Sequence, residues 1–599
     1  MKLKYVLGTM TALSVLSGCS LDVNMYDGVT GEDITARNMV ELAQGSYSML
    51  KYDGGLIDYG YYFWAYGADD LSWGGTSTDT KYALYDYSRN IASSITEYAW
   101  ELGYRTIGNC NLVIEMGKEL GENRTAEETV LMGENYYLRA LSYFLLVNEF
   151  AQPYSNNPTQ NPGLPLKLNS DPNDLPKSRS TVAEVYDQVV NDLKDAITYL
   201  TLPEGMSPKN SCYATKEAAQ ALLARVYLYM ENWDGAWEMA NNVINSGRFE
   251  LLPAEKYAVY SQYVPEENSE TIFAVRRTKL KDDGGYGKMG GLYIRVDQSG
   301  WEEMYASSRY LELLELYLDD KGYPKDLRSS FITKRYVEDG TNTDIYPITG
   351  NPERNYKDWT FVYTAKQAGA NANYEYRQIS ITKQADGTYA MSAADAQSFK
   401  SATIQSEPYN LGTRYYVVAS DGTKYIGRIE PRVYDAKTLR QKEAMFLVYA
   451  INKCSYQEQY YHLWSPIISR LAEMYLIRAE ANLEKGGDTK ATLDDVNVLR
   501  ERAGIPEWTL ENIKTAENGQ PKDVHKIIEE ERMLEFAWEG LRRFDVFRWR
   551  QTMDRKYPGG HTLKQGDRYL EIPYNSPSVC EFIPQAQYDA YPYKLEQNP

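Results

Sequence analysis

The sequence has little of the chemistry on which many enzymes depend. It contains three histidines and five cysteines among 599 residues. The histidines lie far apart at His462, His525 and His561, and neither a His-Glu-x-x-His nor a Gly-x-Ser-x-Gly motif is present. No two cysteines have the Cys-x-x-Cys spacing of a zinc or redox site. These absences disfavour the motif-bearing metalloproteases, serine hydrolases and thiol oxidoreductases, and we expect no cofactor; the need for a metal stays open.

An excess of positive charge is also missing. The chain carries 83 acidic and 64 basic residues, which gives a formal net charge of −19 at pH 7. Nucleic acids and anionic lipid surfaces would be repelled by such a chain, so a neutral or weakly charged ligand is the better expectation. Because a glycosidase needs only two carboxylates, counting acids does not separate it from a binding protein, but no feature singles out a catalytic pair.

Long apolar runs are lacking except at the start of the chain. Lys2 and Lys4 precede a mostly apolar run from Tyr5 to Leu16, which is shorter than the roughly 20 residues of a membrane span. Residues 1–18 therefore have the pattern of a secretory signal peptide. The ending Leu-Ser-Gly-Cys resembles a bacterial lipobox, which would make Cys19 an acylated, for example palmitoylated, N-terminus. The alternative is a cleaved signal followed by an incidental cysteine.

Helical periodicity dominates both flanks of the chain. Thr181 to Glu184 forms a capping-box pattern ahead of apolar residues spaced three and four apart up to Leu200. Two helices separated by a break at Glu231-Asn232 are predicted between 218 and 240, and a later pair is predicted around Gly486-Gly487. Helical hairpins of this kind are typical of tetratricopeptide repeats. We therefore predict a mainly α fold with a tetratricopeptide-like helical hairpin scaffold.

The middle of the chain has a different pattern. A glycine-rich loop occupies 284–291, and two hairpin turns are predicted at Asp386-Gly387 and Asp421-Gly422. We expect a large irregular, partly β ligand-binding insertion here. The predicted regions are thus an N-terminal helical region at 19–250, the insertion at 251–455 and a C-terminal helical region at 456–599.

Aromatic residues are abundant, with 54 tyrosines and 11 tryptophans. Sugar binding requires a flat aromatic face and nearby polar groups for the hydroxyls. The segment 61–87 is the densest source of both, and a second source lies at the glycine-rich loop. Each of these residues could instead pack in the core, and that alternative stays open. The candidate ligand-binding residues are Asp69, Asp70, Trp73, Tyr85, Tyr286 and Trp301.

Several sequence blocks resemble the SusD-like (RagB/SusD) family. They occur in order over most of the chain behind the lipobox, and the most specific is the run that ends in Trp-Glu-Gly-Leu-Arg-Arg-Phe-Asp. The resemblance implies a surface lipoprotein of Bacteroidetes-type bacteria that captures oligosaccharides for a SusC-like TonB-dependent transporter in the outer membrane. Ligand class and transporter partner come only from this resemblance. The main blocks are 134–144, 219–229, 268–273, 470–481, 496–504 and 529–545.

The charges within the last block are interleaved with apolar helix positions. Unpaired burial of such groups would be costly, so we predict partly buried ion pairs between helices in preference to ligand contacts. The residues concerned are Glu531, Arg532, Glu535, Arg542, Arg543 and Asp545.

The sequence thus favours a glycan-binding lipoprotein without catalytic activity. Three alternatives stay open: a peptide-binding subunit of the same kind of importer, a transporter-associated adaptor that binds no ligand, and a lipid-anchored glycosidase. The dense aromatics favour a ligand over the pure adaptor.

Overall fold

The computed structural model describes residues 39–52, 54–74, 78–282, 289–296, 299–319, 323–338, 345–347, 358–367, 374–431, 445–558 and 570–599. The predicted signal peptide, Cys19 and Tyr286 lie outside these described residues. Two groups of elements make up the described chain: helices, and antiparallel strands from its middle.

The α-helices begin and end as the local sequence dictates. Thr181 accepts a hydrogen bond from the backbone N–H of Glu184 while the Glu184 side chain bonds back, which confirms the predicted capping box. Gly504 ends another helix in the left-handed conformation that glycine adopts without strain. The helices are α1 Met39–Leu50, α2 Tyr82–Asp86, α3 Ser94–Leu120, α4 Ala126–Phe150, α5 Val182–Tyr199, α6 Lys216–Tyr229, α7 Trp233–Ile244, α8 Ala254–Tyr257, α9 Lys279–Asp282, α10 Met289–Tyr293, α11 Ser308–Leu314, α12 Leu471–Glu484, α13 Thr489–Ala503, α14 Val524–Glu535, α15 Arg542–Arg548 and α16 Gln585–Ala590.

The long helices pack in series into one layered scaffold. Neighbours from α3 to α7 contact each other in chain order, and α12 then packs on α7 and on α13. Because residues 245–470 lie between α7 and α12, the scaffold is built from two distant parts of the chain. Gly235 allows the close crossing of α6 and α7, since a Cβ there would lie 2.7 Å from the Tyr227 ring.

The strands form two larger sheets and two short pairs. The five-stranded sheet has the order β1-β3-β12-β4-β5, and the six-stranded antiparallel sheet has the order β8-β7-β6-β11-β10-β9. Short ladders join β13 to β2 and β14 to β15. The strands are β1 Leu71–Trp73, β2 Thr271–Ala274, β3 Met304–Ala306, β4 Ile332–Glu338, β5 Ile345–Pro347, β6 Asp358–Lys366, β7 Tyr374–Lys383, β8 Tyr389–Met391, β9 Gln405–Tyr409, β10 Gly412–Val418, β11 Lys424–Pro431, β12 Met445–Ile451, β13 Ile467–Arg470, β14 Met553–Asp554 and β15 Glu571–Ile572.

The six-stranded sheet has a hydrophobic core of its own. Trp359, Phe361 and Tyr363 alternate along β6 and pack with Ile379 and Ile381 of β7, separately from the main core. Both predicted hairpin turns are confirmed, because β7 pairs with β8 across Asp386-Gly387 and β10 pairs with β11 across Asp421-Gly422.

The mainly α fold class with a partly β insertion is confirmed. The insertion is more regular than the sequence suggested. The nine-residue strand β6 pairs with both β7 and β11, and no sequence signal had predicted this strand. The domain boundaries at 250 and 455 stay predictions. No helix in the described part of the chain is long and apolar enough to span a membrane.

Candidate functional site

The aromatic segment 61–87 lies mainly in the core. Trp73 ends the edge strand β1, which pairs with β3, and only 3% of its surface is exposed. Its ring packs 5.6 Å from Tyr85 and 5.7 Å from Tyr82, and the Tyr85 hydroxyl accepts a hydrogen bond from the Trp73 backbone N–H at 3.0 Å. Tyr85 itself is fully buried. The ligand role of Trp73 and Tyr85 stays a prediction, which their burial does not favour.

Asp69 and Asp70 lie in the turn just before β1 and face different partners. The Asp69 carboxylate accepts two hydrogen bonds from Arg542, with Nε–Oδ1 and Nη2–Oδ2 distances of 2.7 and 3.0 Å. Asp70 Oδ2 accepts the backbone N–H of Trp538 at 3.0 Å. Burial alone would raise the pKa of Asp69, but the Arg542 charge holds it below its ordinary value, whereas burial raises the pKa of Asp70 to about 6. Both carboxylates attach the segment to the region around α15, and a ligand role for them stays a prediction.

The predicted ion pairs of the last sequence block are present. Their oxygen–nitrogen distances are 2.5 to 2.8 Å, and almost all of these side chains are buried. Arg543 differs, since its guanidinium lies 4.1 Å from the centre of the Tyr87 ring. The pairs are Glu531–Arg328, Glu535–Arg470, Glu535–Arg502, Arg532–Asp545, Arg548–Asp545 and Arg542–Asp69.

Trp301 differs from the other described candidate residues because it is exposed to solvent, with 57% of its surface accessible. Its backbone N–H donates to the Gly291 carbonyl at 2.6 Å, which fixes the segment beside α10. The preceding Gly300 has φ +105°, and a Cβ there would overlap the Ile294 carbonyl oxygen. A glycine is therefore required to bring Trp301 to this position.

A loop of residues 456–463 lies against the Trp301 segment. Gly300 contacts this loop, because a Cβ placed on it would lie 2.9 Å from His462 Nε2. Trp301 follows Gly300 and Tyr461 precedes His462, so the two segments that carry these aromatic residues are in contact. Tyr461 is 41% exposed, and its ring lies 6.4 Å from that of Tyr460 with 20° between the ring planes. We call Trp301, Tyr460 and Tyr461 the aromatic surface.

The loop that carries the two tyrosines is held in an unusual backbone conformation. Tyr456, Glu458 and Gln459 have φ of +66°, +53° and +59°, a region that residues other than glycine rarely adopt. Gln457 holds the loop, because its N–H donates to the Leu463 carbonyl at 3.0 Å and its Oε1 accepts the Ser465 N–H at 2.8 Å. Such strain persists only where the surroundings impose it, and it clusters at binding sites.

Charged groups border the aromatic surface. The amino group of Lys279 lies 4.8 Å from the centre of the Tyr460 ring. Arg276 pairs with Glu266 at 3.0 Å and with Glu458 at 3.6 Å, and these side chains are 20 to 35% exposed. Lys279 thus lies over the face of the Tyr460 ring, and the Arg276 pairs supply donors and acceptors on the loop that carries the tyrosines and next to it.

Sequence reasoning proposed Trp301 but did not include Tyr460 and Tyr461, and a ligand role for all three stays a prediction. The signal that could have found them is the run Tyr-Gln-Glu-Gln-Tyr-Tyr-His at 456–462, where three tyrosines are grouped with polar residues and no strand-like alternation is present. Tyr286, predicted to accompany Trp301, lies outside the described residues. Within the described ranges, no group of three or more His, Cys, Asp or Glu side chains is arranged to hold a metal ion.

Comparison with known proteins identifies relatives over most of the chain. The family described as "SusD family" matches residues 269–594, and the family described as "Starch-binding associating with outer membrane" matches residues 69–228. SusD-like protein P38 of Formosa agariphila is 24% identical over 476 residues, which cover 77% of this chain and 74% of that protein.

Solved structures show the same fold. A SusD superfamily protein from Bacteroides thetaiotaomicron has a TM-score of 0.65 at 23% identity, covering 94% of this chain and all of its own. A putative sugar binding protein from Bacteroides vulgatus has a TM-score of 0.64 at 21% identity, covering 94% of this chain and 98% of its own. The SusD family match spans more than half of the sequence and agrees with this fold, so the chain belongs to the SusD family.

Proposed function

We propose that this protein is a glycan-binding lipoprotein of the bacterial cell surface. It captures oligosaccharides without cleaving them and delivers them to a partner SusC-like TonB-dependent transporter in the outer membrane. Cys19, as the acylated N-terminus, anchors it to that membrane.

Family membership supports the assignment to this class of binding protein. One matching family is described as starch-binding and associated with the outer membrane, and one structural neighbour is a putative sugar binding protein. The Leu-Ser-Gly-Cys sequence supports lipid attachment at Cys19. Two acyl chains would hold the protein stably on a bilayer, because each buried CH₂ contributes about 0.8 kcal/mol.

The exposure of Trp301 is the observation that carries the proposal. Large aromatic rings usually bury their faces, and Trp73 and Trp538 in this chain are 3% and 2% exposed. A 57% exposed tryptophan on a segment fixed by a required glycine is ready to stack on the apolar face of a sugar ring. Tyr461, 41% exposed, lies on the loop that contacts the Trp301 segment, and the Arg276–Glu458 pair of that loop offers polar contacts to hydroxyls.

The experiment is to measure oligosaccharide affinity and melting temperature for Trp301→Ala. Removing a stacking ring at a binding hot spot costs about 1–3 kcal/mol, so we expect an affinity loss of about five- to 150-fold. The melting temperature should stay unchanged because the ring is mostly in solvent.

Tyr98→Ala is the matched control, since Tyr98 on α3 is also a half-exposed aromatic, at 50%. It should leave the affinity unchanged. Equal affinity of wild type and Trp301→Ala would contradict the proposed site. Binding of peptides but of no oligosaccharide in the same assay would favour the peptide-importer alternative.

A further inference from the structure

A cleft of about 250 Å³ lies between the six-stranded sheet and the helical scaffold. Its walls come mainly from three distant parts of the chain, namely β10 and β11 of the sheet, α11, and the pair α14 and α15, and Asp69 is added from the turn before β1. Neither Trp301, Tyr460 nor Tyr461 lines the cleft. Trp301 lies before β3 in the sequence, whereas α11, which lines the cleft, lies after β3. The cleft is therefore a separate feature that exists only because the sheet is docked on the helices.

The charges that line the cleft are nearly balanced. Five cationic and six anionic side chains of the described residues line it, together with apolar groups from both the sheet and the helices. A site for a strongly charged ligand would carry an excess of the opposite sign. Closely mixed donors and acceptors with apolar surface between them suit a neutral molecule with many hydroxyl groups.

Some of these charges hold the walls together. Arg542 and Asp69 form the two-bond pair already described, and Arg428 of β11 approaches Glu315 next to α11 with an Nε–Oε2 distance of 2.8 Å. The Arg428–Glu315 pair is buried and ties the sheet to the helical scaffold. The cleft thus has a fixed frame, as a preformed binding site requires.

Other charged groups keep capacity for a ligand. Among the described residues, Arg309 forms one ion pair, with Asp554 at 3.3 Å, and the two side chains are 43% and 41% exposed. Glu312, one turn further along α11, makes no hydrogen bond or ion pair with any described residue. Burial raises the pKa of the Glu312 carboxyl, and the charges of Arg309, Arg428 and Arg414 act in the opposite direction. A guanidinium and a carboxyl on the same face of one helix can together bind two neighbouring hydroxyls.

We propose that this cleft is a second saccharide-binding site that takes one or two neutral sugar units through Arg309 and Glu312. Its ligand class rests on the proposed function, but its location and residues are independent of the aromatic surface. Binding pockets for drug-sized molecules have volumes of about 300–1,000 Å³, so a cleft of about 250 Å³, just below that range, suits a ligand of only one or two sugar units.

The test uses the full folded chain in the Trp301→Ala background, which removes the stacking site. Glucose, galactose, mannose, xylose and arabinose are each added at millimolar concentration, and saturation-transfer-difference NMR detects contact. We expect at least one monosaccharide to give a signal, and Arg309→Ala or Glu312→Ala to weaken its binding at least about tenfold, since hydrogen bonds to charged groups are lost.

Arg377→Ala is the control, because Arg377 on β7 is 45% exposed and pairs with a close neighbour, Glu375, outside the cleft. It should leave the signal unchanged. The second site is refuted if no monosaccharide binds, or if binding is insensitive to both cleft variants. If the second site is refuted but oligosaccharides still bind the wild-type chain, only the cleft proposal is wrong. If oligosaccharides do not bind the wild-type chain either, the proposed function is wrong as well.

Discussion

The aromatic side chains differ in what covers their faces. Trp73 is covered by Tyr82 and Tyr85 and by its position in β1, whereas Trp301 protrudes beside a strained loop. The local frequency of aromatic residues in the sequence indicated both tryptophans as candidates. It does not reveal which rings a distant segment will cover, since strand β3, which pairs with β1, lies more than 200 residues further along the chain. Trp301 could therefore be proposed from the sequence as a candidate site residue, whereas Tyr461 could not.

At the residue scale, we predict that Trp73→Ala destabilises the fold and spares the site. Truncating a buried tryptophan to alanine costs about 3–5 kcal/mol of unfolding free energy. Urea denaturation should therefore show a strongly lowered midpoint, and oligosaccharide affinity per folded molecule should match wild type. An unchanged midpoint together with lost affinity would return Trp73 to the ligand site.

Single elements follow local sequence closely in this fold. The capping box at Thr181, the left-handed Gly504 and the two Asp-Gly hairpins are all set by residues within a few positions of each other, and all were predictable. Strand order was not predictable in the same way. The pairing of β11 with β6 joins residues more than 60 positions apart and depends on packing in the sheet core.

Helix α14 is joined to its neighbours by buried charges. Glu535 is fully buried and pairs with Arg470 at 2.6 Å and with Arg502 at 2.5 Å. Burial alone would raise the pKa of Glu535, but these arginines, together with Arg328, hold it far below its ordinary value. The carboxylate form thus stabilises the contacts of α14 with α13 and with the start of α12.

At the element scale, we predict that Glu535→Gln lowers the unfolding free energy by about 3–5 kcal/mol at pH 7, because it leaves buried arginines without their counter-charge. The difference in unfolding free energy between wild type and variant should become smaller as the pH falls below the ordinary glutamate pKa of 4.5. In that range protonation of Glu535 removes the stabilisation of the wild type that the substitution removes from the variant. Urea denaturation at several pH values measures both effects.

Glu511→Gln is the matched control, because Glu511 and Lys514 form an ion pair that is 86% and 62% exposed. Such surface pairs contribute about 0–1 kcal/mol. If the two substitutions had equal effects, the buried network would not be what joins these helices.

The whole molecule combines a scaffold with two candidate ligand regions. Helices from both flanks of the chain form one stack, and the middle of the chain contributes the aromatic surface and the docked sheet. The helical periodicity predicted the scaffold, and the resemblance to the SusD family predicted the family. The cleft could not be predicted, because its walls meet only after the sheet and the helices have packed.

The central claim is that the folded chain binds glycans and does not cleave them. The most direct measurement is affinity electrophoresis of the purified protein, lacking residues 1–19, in gels containing each of a panel of polysaccharides, with product analysis of the matching oligosaccharides after prolonged incubation. We predict retardation by at least one glycan and no shorter products. Migration unaffected by every glycan, or steady release of shorter sugars, would contradict the account.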